Sequence, residues 1–302
     1  MALAGRDLVA ISDLTNEEME GLFTLADEMA RYARGGTALA SGKIMATLFY
    51  EPSTRTRMSF ESAMQRLGGG VVSAPDMVHS SVAKGETIAD TVRTVESYAD
   101  LIVIRHPQEG AARVAADYAR VPVVNGGDGP HEHPTQGLLD IMTIRQRLGR
   151  IAGLTVAMVG DIAHSRTARS NIWGLKKLGA QVIVCGPSTL VSPRWQELGV
   201  EYSYSLDAIL PRVDVLNLLR IQFERQYTRP FPSVREYALL YGMDSRRLAR
   251  TRPNILILAP GPINRGVEVT PDVADGPQSA ILDQVTNGVA VRMAVLWLLT
   301  GK

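Results

Sequence analysis

A single cysteine, Cys185, stands in 302 residues; this excludes an intrachain disulfide and suits a reducing compartment. It closes the apolar run Val182-Ile183-Val184, so a packed thiol is expected there rather than a nucleophile. A charge excess of either sign is also missing. The 32 basic and 31 acidic residues leave a net +1, which gives no reason to expect a nucleic-acid or membrane partner, so any anion binding must be local. No apolar run reaches membrane length: Val289 to Leu299 is short, is broken by Arg292, and reads as a buried helix. The stretch MALAGRDLVAISDL has too short an apolar run for a signal peptide. A cytoplasmic protein is expected. Two nucleotide signatures are absent, the phosphate loop G-x-x-x-x-G-K-[ST] and the dinucleotide fingerprint G-x-G-x-x-G. Nor is there a short-period repeat or a low-complexity linker.

What is present is an ordinary globular composition, 45% hydrophobic and 21% charged, over a length that suggests about two domains. Thr15-Asn16-Glu17-Glu18 is a capping box opening a helix that runs to about Arg34. Short apolar strands are predicted at Ile44–Tyr50, Leu101–Ile104, Val121–Val124, Leu154–Val159, Gln181–Cys185, Val213–Leu218 and Ile255–Leu258. Helical faces lie between them, one marked by Ile88, Val92, Val95 and Tyr98, another by Leu138, Ile141, Ile144 and Leu148. Continuously apolar strands alternating with helices predict α/β architecture, with parallel sheets covered on both faces. The Gly-rich stretch from Asn125 to Pro134 is the expected hinge, with the helix from Thr135 joining two halves.

Ligands of such sheets bind beyond the carboxyl ends of strands. Ser53, Arg105, the segment His131 to Gln136, Asp161 to Arg166, Arg220 and Pro260 all fall there, which suggests one active site assembled from both halves. The segment FYEPSTRTRMSFESAMQRLGGG, Phe49 to Gly70, is the most telling. Pro52 ends a strand, Ser53 is a good N-cap, and Phe60, Ala63, Met64 and Leu67 keep helical spacing up to the three glycines. The first turn then carries Thr54, Arg55, Thr56 and Arg57, against a dipole that is already positive at that end. Two guanidinium groups, three hydroxyls and backbone N–H groups converging there predict a phosphate or carboxylate site. His131 and His133 have a spacing that a metal could use, but no cysteine or carboxylate cluster beyond Glu132 accompanies them. A His133 hydrogen bond to a polarised carbonyl oxygen fits better, with Thr135 and Gln136 at a helix start beside it.

Taken in order and spacing, five motifs resemble the transcarbamoylases, on the branch whose acceptor is aspartate, over essentially the whole chain. They are S-T-R-T-R at Ser53–Arg57, S-x-x-x-K-G-E at Ser80–Glu86, H-P-T-Q at His133–Gln136, R-x-Q at Arg220–Gln222 and P-G-P-x-N-R-G at Pro260–Gly266. The resemblance implies two doubly wound parallel-sheet domains. Residues 1–136 with 285–302 would bind carbamoyl phosphate, and residues 137–284 would bind L-aspartate. It implies that Ser53, Thr54, Arg55 and Thr56 cradle the phosphate, and that Thr56, Arg105 and His133 polarise the carbonyl. Gln136, with backbone carbonyls around Pro260 and Gly261, would hold the carbamoyl amide. Arg166, Arg220 and Gln222 are similar to the family's aspartate-binding residues, with Lys84, Gly261 and Pro262 beside them. Ser80 and Lys84 match a loop that enters a neighbour's site in a homotrimer, and Glu51 would bridge to Arg166 and Arg225 on domain closure. No metal or organic cofactor is implied. Whether the trimer joins a regulatory chain or a dihydroorotase-type partner stays open.

One departure is Ala259, where the family commonly carries histidine before the proline. The implied contacts there are backbone ones, so little chemical effect is expected. An ornithine acceptor would want a carboxylate opposite its side-chain amine, whereas Arg220 and Gln222 suit a second carboxylate. A non-catalytic scaffold of the same fold would be marked by loss of Arg55, Lys84, Arg105 or His133, and all are present. A nucleotide-dependent oxidoreductase lacks its glycine fingerprint.

Overall fold

The computed structural model describes residues 3–77, 84–222 and 231–301, and the chain divides into two compact units, Met1–Leu139 with Thr286–Lys302, and Asp140–Val285. The first is built on four parallel strands, β1 (Ile44–Phe49), β2 (Gly70–Ala74), β3 (Leu101–His106) and β4 (Val123–Asp128), in the order β2-β1-β3-β4. Its helices are α1 (Asn16–Met29), α2 (Thr54–Arg66), α3 (Ile88–Val95), α4 (Ala111–Tyr118), the start of α5 (Pro134–Leu148) and the end of a long last helix, Ile281–Thr300. The capping box forms as expected: Thr15 Oγ1 accepts from Glu18 N, and Glu18 Oε2 accepts from Thr15 N. The central strands are apolar and buried, so their side chains pack on both faces; Ala46, Leu48, Ile102, Ile104 and Val123 lie in one cluster with Val92 of α3 and Ala112 and Ala115 of α4. Leu8 pairs with β4 and continues the sheet.

The second unit carries β5 (Thr155–Val159), β6 (Gln181–Cys185), β7 (Glu201–Ser203), β8 (Val215–Leu218) and β9 (Leu256–Leu258), all parallel, in the order β7-β6-β5-β8-β9. Between and after them run α6 (Arg166–Lys177), α7 (Leu206–Ile209), α8 (Val234–Tyr241), α9 (Ser245–Leu248) and α10 (Pro271–Ala274); α11 is the long helix Ile281–Thr300. Cys185 is fully buried in this core, and burial pushes its thiol pKa up to about 12. Both sheets are of the doubly wound type.

The order of strands has a functional consequence. In the first unit the chain leaves β1 toward one edge and β3 toward the other, so the crevice opens above the carboxyl ends of β1 and β3. The second unit repeats this between β5 and β8. The segments at those four ends begin at Tyr50, Pro107, Gly160 and Leu219.

Several expectations are corrected. The edge strands β2 and β7 do not show in the sequence, because GVVSA and EYS lack a continuously apolar run and remain partly exposed. The expected hinge does not hold at its start: Asn125 to Asp128 is fully buried strand. Its glycines serve a register shift, in which Ile104 faces Asn125 while His106 faces Asp128. At Gly126 a Cβ would lie 3.2 Å from the carbonyl oxygen of Ile104. The division between units falls within α5, the helix expected to join the halves. Tyr98 lies past the end of α3 and is exposed. Ser53 stands at the N-cap of α2, but its side chain makes no capping hydrogen bond.

Candidate functional site

In the first unit the loop after β1 passes Pro52 into α2, which packs back on β1 and β2 and bonds them through Glu61 to Thr47 and Ser73. Its first turn contains no acidic residue. Thr54, Arg55 and Thr56 are its first three residues, and Arg57 is held by Glu61 only at 3.9 Å, one turn on. Basic residues at this end oppose the helix dipole, and an anion bound there would relieve both. Thr56 is buried, and its Oγ1 lies 3.4 Å from His133 Nε2.

His133 immediately precedes α5 and accepts from Gln136 N through its carbonyl oxygen. The ring is buried, and its pKa lies well below 6.5 because burial disfavours the cation and Arg292 and Arg105 repel it. A neutral imidazole is thus held beside a hydroxyl, suited to donating a hydrogen bond rather than carrying charge. Arg292, itself buried on α11, donates from Nη1 to Ser59 Oγ at 2.8 Å and lies over the Phe60 ring at 4.9 Å, so it also braces α2.

Arg105 closes β3. Its Nη1 donates to the carbonyl oxygen of Gly126 at 3.2 Å, and its Nε lies 3.4 Å from Glu51 Oε2. The register shift that needs glycine thus also seats this guanidinium. Glu51, expected to bridge to Arg166 and Arg225 only when both substrates are bound, pairs with Arg105 within its own unit. Lys84 is exposed just ahead of α3; Ser80 and Arg225 lie outside the described residues.

In the second unit Gly160 follows β5 with φ 129°, and a Cβ there would meet the Leu219 carbonyl oxygen at 2.4 Å, so only glycine lets the two crevice loops approach. Asp161, fully buried, accepts from His164 N and Nδ1 and, through its other oxygen, from Gln222 N at 3.3 Å. Gln222 Nε2 donates to the His164 carbonyl oxygen at 3.1 Å. Ser165 caps α6 through its side chain, which places buried Arg166 at the first helical position. Arg220 is half-buried on the same strand-end segment. Glu268 accepts from Ile221 N at 3.0 Å and from Asn264 N at 2.7 Å, so it ties the segment after β8 to the one after β9, which holds Pro260, Gly261 and Pro262. The structure thus gathers Thr56, Arg105 and His133 in one unit, and Arg166 and Gln222 around the Asp161 turn in the other.

Sequence reasoning missed Glu268 and Arg292. Both had a signal: each is a lone charged residue within an apolar stretch, GVEVT and AVRMAVL, and a charge carried into the core by such a stretch must find partners there.

Comparison with known proteins places both units in one family. The family profile described as "Aspartate/ornithine carbamoyltransferase, carbamoyl-P binding domain" matches residues 6–146, and that described as "Aspartate/ornithine carbamoyltransferase, Asp/Orn binding domain" matches residues 152–299. The chain belongs to the aspartate/ornithine carbamoyltransferase family. Within this carbamoyltransferase family it is similar to the aspartate carbamoyltransferase catalytic subunit of Rhodopirellula baltica, 56% identical over 97% of this chain and 90% of that one. The corresponding subunit of Syntrophobacter fumaroxidans is 50% identical over 100% of both. Among solved structures, aspartate transcarbamoylase from Trypanosoma cruzi in complex with carbamoyl phosphate and aspartate superposes with a TM-score of 0.90 at 33% identity, covering 98% of this chain and 97% of that one.

Proposed function

We propose that this carbamoyltransferase moves the carbamoyl group of carbamoyl phosphate to the amine of L-aspartate, giving N-carbamoyl-L-aspartate and phosphate, an early step of pyrimidine synthesis. The observation that carries the reading is the acid-free, arginine-bearing first turn of α2, set beside a neutral buried His133 and Arg105. Full-length likeness to aspartate carbamoyltransferases supports the choice of acceptor.

The neutral amine of aspartate attacks the carbamoyl carbon. A C–N bond forms, the C–O bond to phosphate breaks, and the departing phosphate takes the amine proton. No protein base is needed. Ser53, Thr54, Arg55 and Thr56 hold the phosphate; Thr56, Arg105 and His133 face the oxygen on which charge develops. A neutral imidazole suits this role, since it can donate a hydrogen bond without releasing a proton to the amine. Gln136 and the carbonyls of Pro260 and Gly261 orient the carbamoyl amide, while Arg166, Arg220, Gln222 and Pro262 receive aspartate. Orientation then does most of the catalytic work.

Ser80 and Lys84 belong, in this reading, to a loop supplied by the neighbouring subunit of a homotrimer, and Glu51 engages Arg166 and Arg225 when both substrates are held. A cytoplasmic location completes it, supported by the lone thiol of Cys185. The test is colorimetric measurement of carbamoyl product with carbamoyl phosphate and either aspartate or ornithine. Product with aspartate alone is expected. Product with ornithine alone overturns the assignment of acceptor.

A further inference from the structure

We infer that Asp140 and Gln284 are positioning residues that set the backbone of Ala259-Pro260-Gly261, the segment whose carbonyls orient the carbamoyl amide. This rests on the proposed function above. Asp140 is a carboxylate in the apolar run Leu138-Leu139-Asp140-Ile141-Met142 and is fully buried. It accepts from three side-chain amides: Asn171 Nδ2 at 2.7 Å and Asn217 Nδ2 at 3.3 Å on Oδ2, and Gln284 Nε2 at 2.7 Å on Oδ1. All four residues lie in the second unit, on α5, α6, β8 and α11.

A carboxylate only accepts, so it dictates which end of the Gln284 amide faces it. The nitrogen must point at Asp140, and the oxygen is left to point away. That oxygen accepts from Ala259 N at 2.9 Å. Ala259 follows β9 directly, and of the next three residues Pro260 and Pro262 have no N–H. Ala259 N–H is therefore the last backbone donor before Gly261, and Gln284 is the side chain that holds it. Placed beyond this anchor, the Pro260 and Gly261 carbonyls inherit their position from Asp140. Because the hold is on a backbone N–H, it is indifferent to the side chain at 259, which accounts for alanine serving there.

The relay has a polarity that can be reversed. Gln284→Glu sets two carboxyl groups against each other at the 2.7 Å contact, and the contact breaks at a pH high enough to remove the proton they would otherwise share, so the comparison is made there. Asp140→Asn in the same chain restores it. The introduced amide can present its oxygen to Asn171 and Asn217 and its N–H₂ to the introduced carboxylate, whose second oxygen again accepts from Ala259 N. The total charge is that of the wild type. The experiment compares wild type, Gln284→Glu and the double variant by carbamoyl aspartate formation, by inorganic phosphate affinity and by amide hydrogen exchange at Ala259.

In Gln284→Glu, kcat falls by up to about 10²-fold, the scale of a misplaced reacting group. Phosphate affinity is unchanged, and Ala259 exchange accelerates. In the double variant both kcat and exchange protection return to within a few-fold of wild type, which general destabilisation does not predict. Normal kcat in the folded single variant, or no recovery in a folded double variant, overturns the inference. If Gln284→Glu does not fold, Gln284→Met, which cannot hold Ala259, takes its place with the same expected loss, and its normal turnover is equally fatal. Absence of carbamoyl aspartate from the wild type would instead refute the functional reading, while Ala259 exchange still judges the relay.

Discussion

Acidification is the sharpest probe of His133. Its folded pKa lies well below 6.5, chiefly through burial and then through Arg292 and Arg105. Below pH 6.5 the unfolded chain binds a proton at this residue and the folded chain does not, so stability present above that pH is lost as pH falls. At pH 5.5 the loss can reach at most RT ln(1 + 10), about 1.4 kcal/mol relative to higher pH. His106, half-buried and also lowered by burial, adds a slope of the same sign, so the comparison must be made between wild type and His133→Gln. Unfolding free energies of the two, measured from pH 7.5 to 5.5, should converge as pH falls, by no more than about 1.4 kcal/mol. The direct assay is an NMR titration of the imidazole C–H resonances, in which the His133 signal stays flat across this range. A His133 midpoint near 6.5 would refute the reasoning, and with it the idea of a neutral hydrogen-bond donor. Catalytically, the acid limb of a kcat profile should not move when His133 is replaced by Gln, although kcat itself drops about 10²–10³-fold with one oxyanion donor gone.

Arg55→Ala should lower turnover by at least about 10²–10³-fold by the colorimetric assay, since it removes a cation from a helix start that has no acid of its own; near-normal turnover ends the phosphate-site assignment. If sites are shared between subunits, refolding Arg55→Ala and Lys84→Ala chains together should restore activity, because every hybrid trimer contains one boundary with both groups intact. Confirmed hybrids without recovery exclude sharing. Native Cys185 should resist thiol reagents at pH 8 and react once the chain is unfolded, because burial raises its pKa to about 12; rapid native labelling would contradict its packing.

How much was legible before the structure depended on what each residue touches. The core strands read correctly because both of their faces are covered and their runs are apolar without interruption, as in Val156 to Val159. The edges did not, since a strand such as β2 that is only partly covered leaves no periodic trace. Arg55, Arg105 and His133 announced themselves by chemistry placed at strand ends. Their supporting cast did not, because Glu51 beside Arg105, Arg292 beside Ser59 and Glu268 beside Ile221 are pairs made by tertiary folding, separated by anything from tens to hundreds of residues. The glycines of Asn125 to Asp128 look like a hinge in the sequence, but Gly126 meets the close approach of β3 and Gly127 takes a φ of 115°.

The first unit is made from both ends of the chain, while the second is one continuous stretch. During synthesis the ribosome therefore delivers α2, with Ser59 and Phe60, long before it delivers Arg292, which bonds the one and covers the other. Gly5 likewise waits for Leu299, whose carbonyl oxygen accepts its N–H. The stretch from Asp140 to Val285 has all its internal partners as soon as it emerges, so the later-made unit is the first able to finish. A nascent chain halted just after Val285 holds the whole second unit and an α2 still lacking its brace. For this protein, the order of translation and the order of completion run in opposite directions.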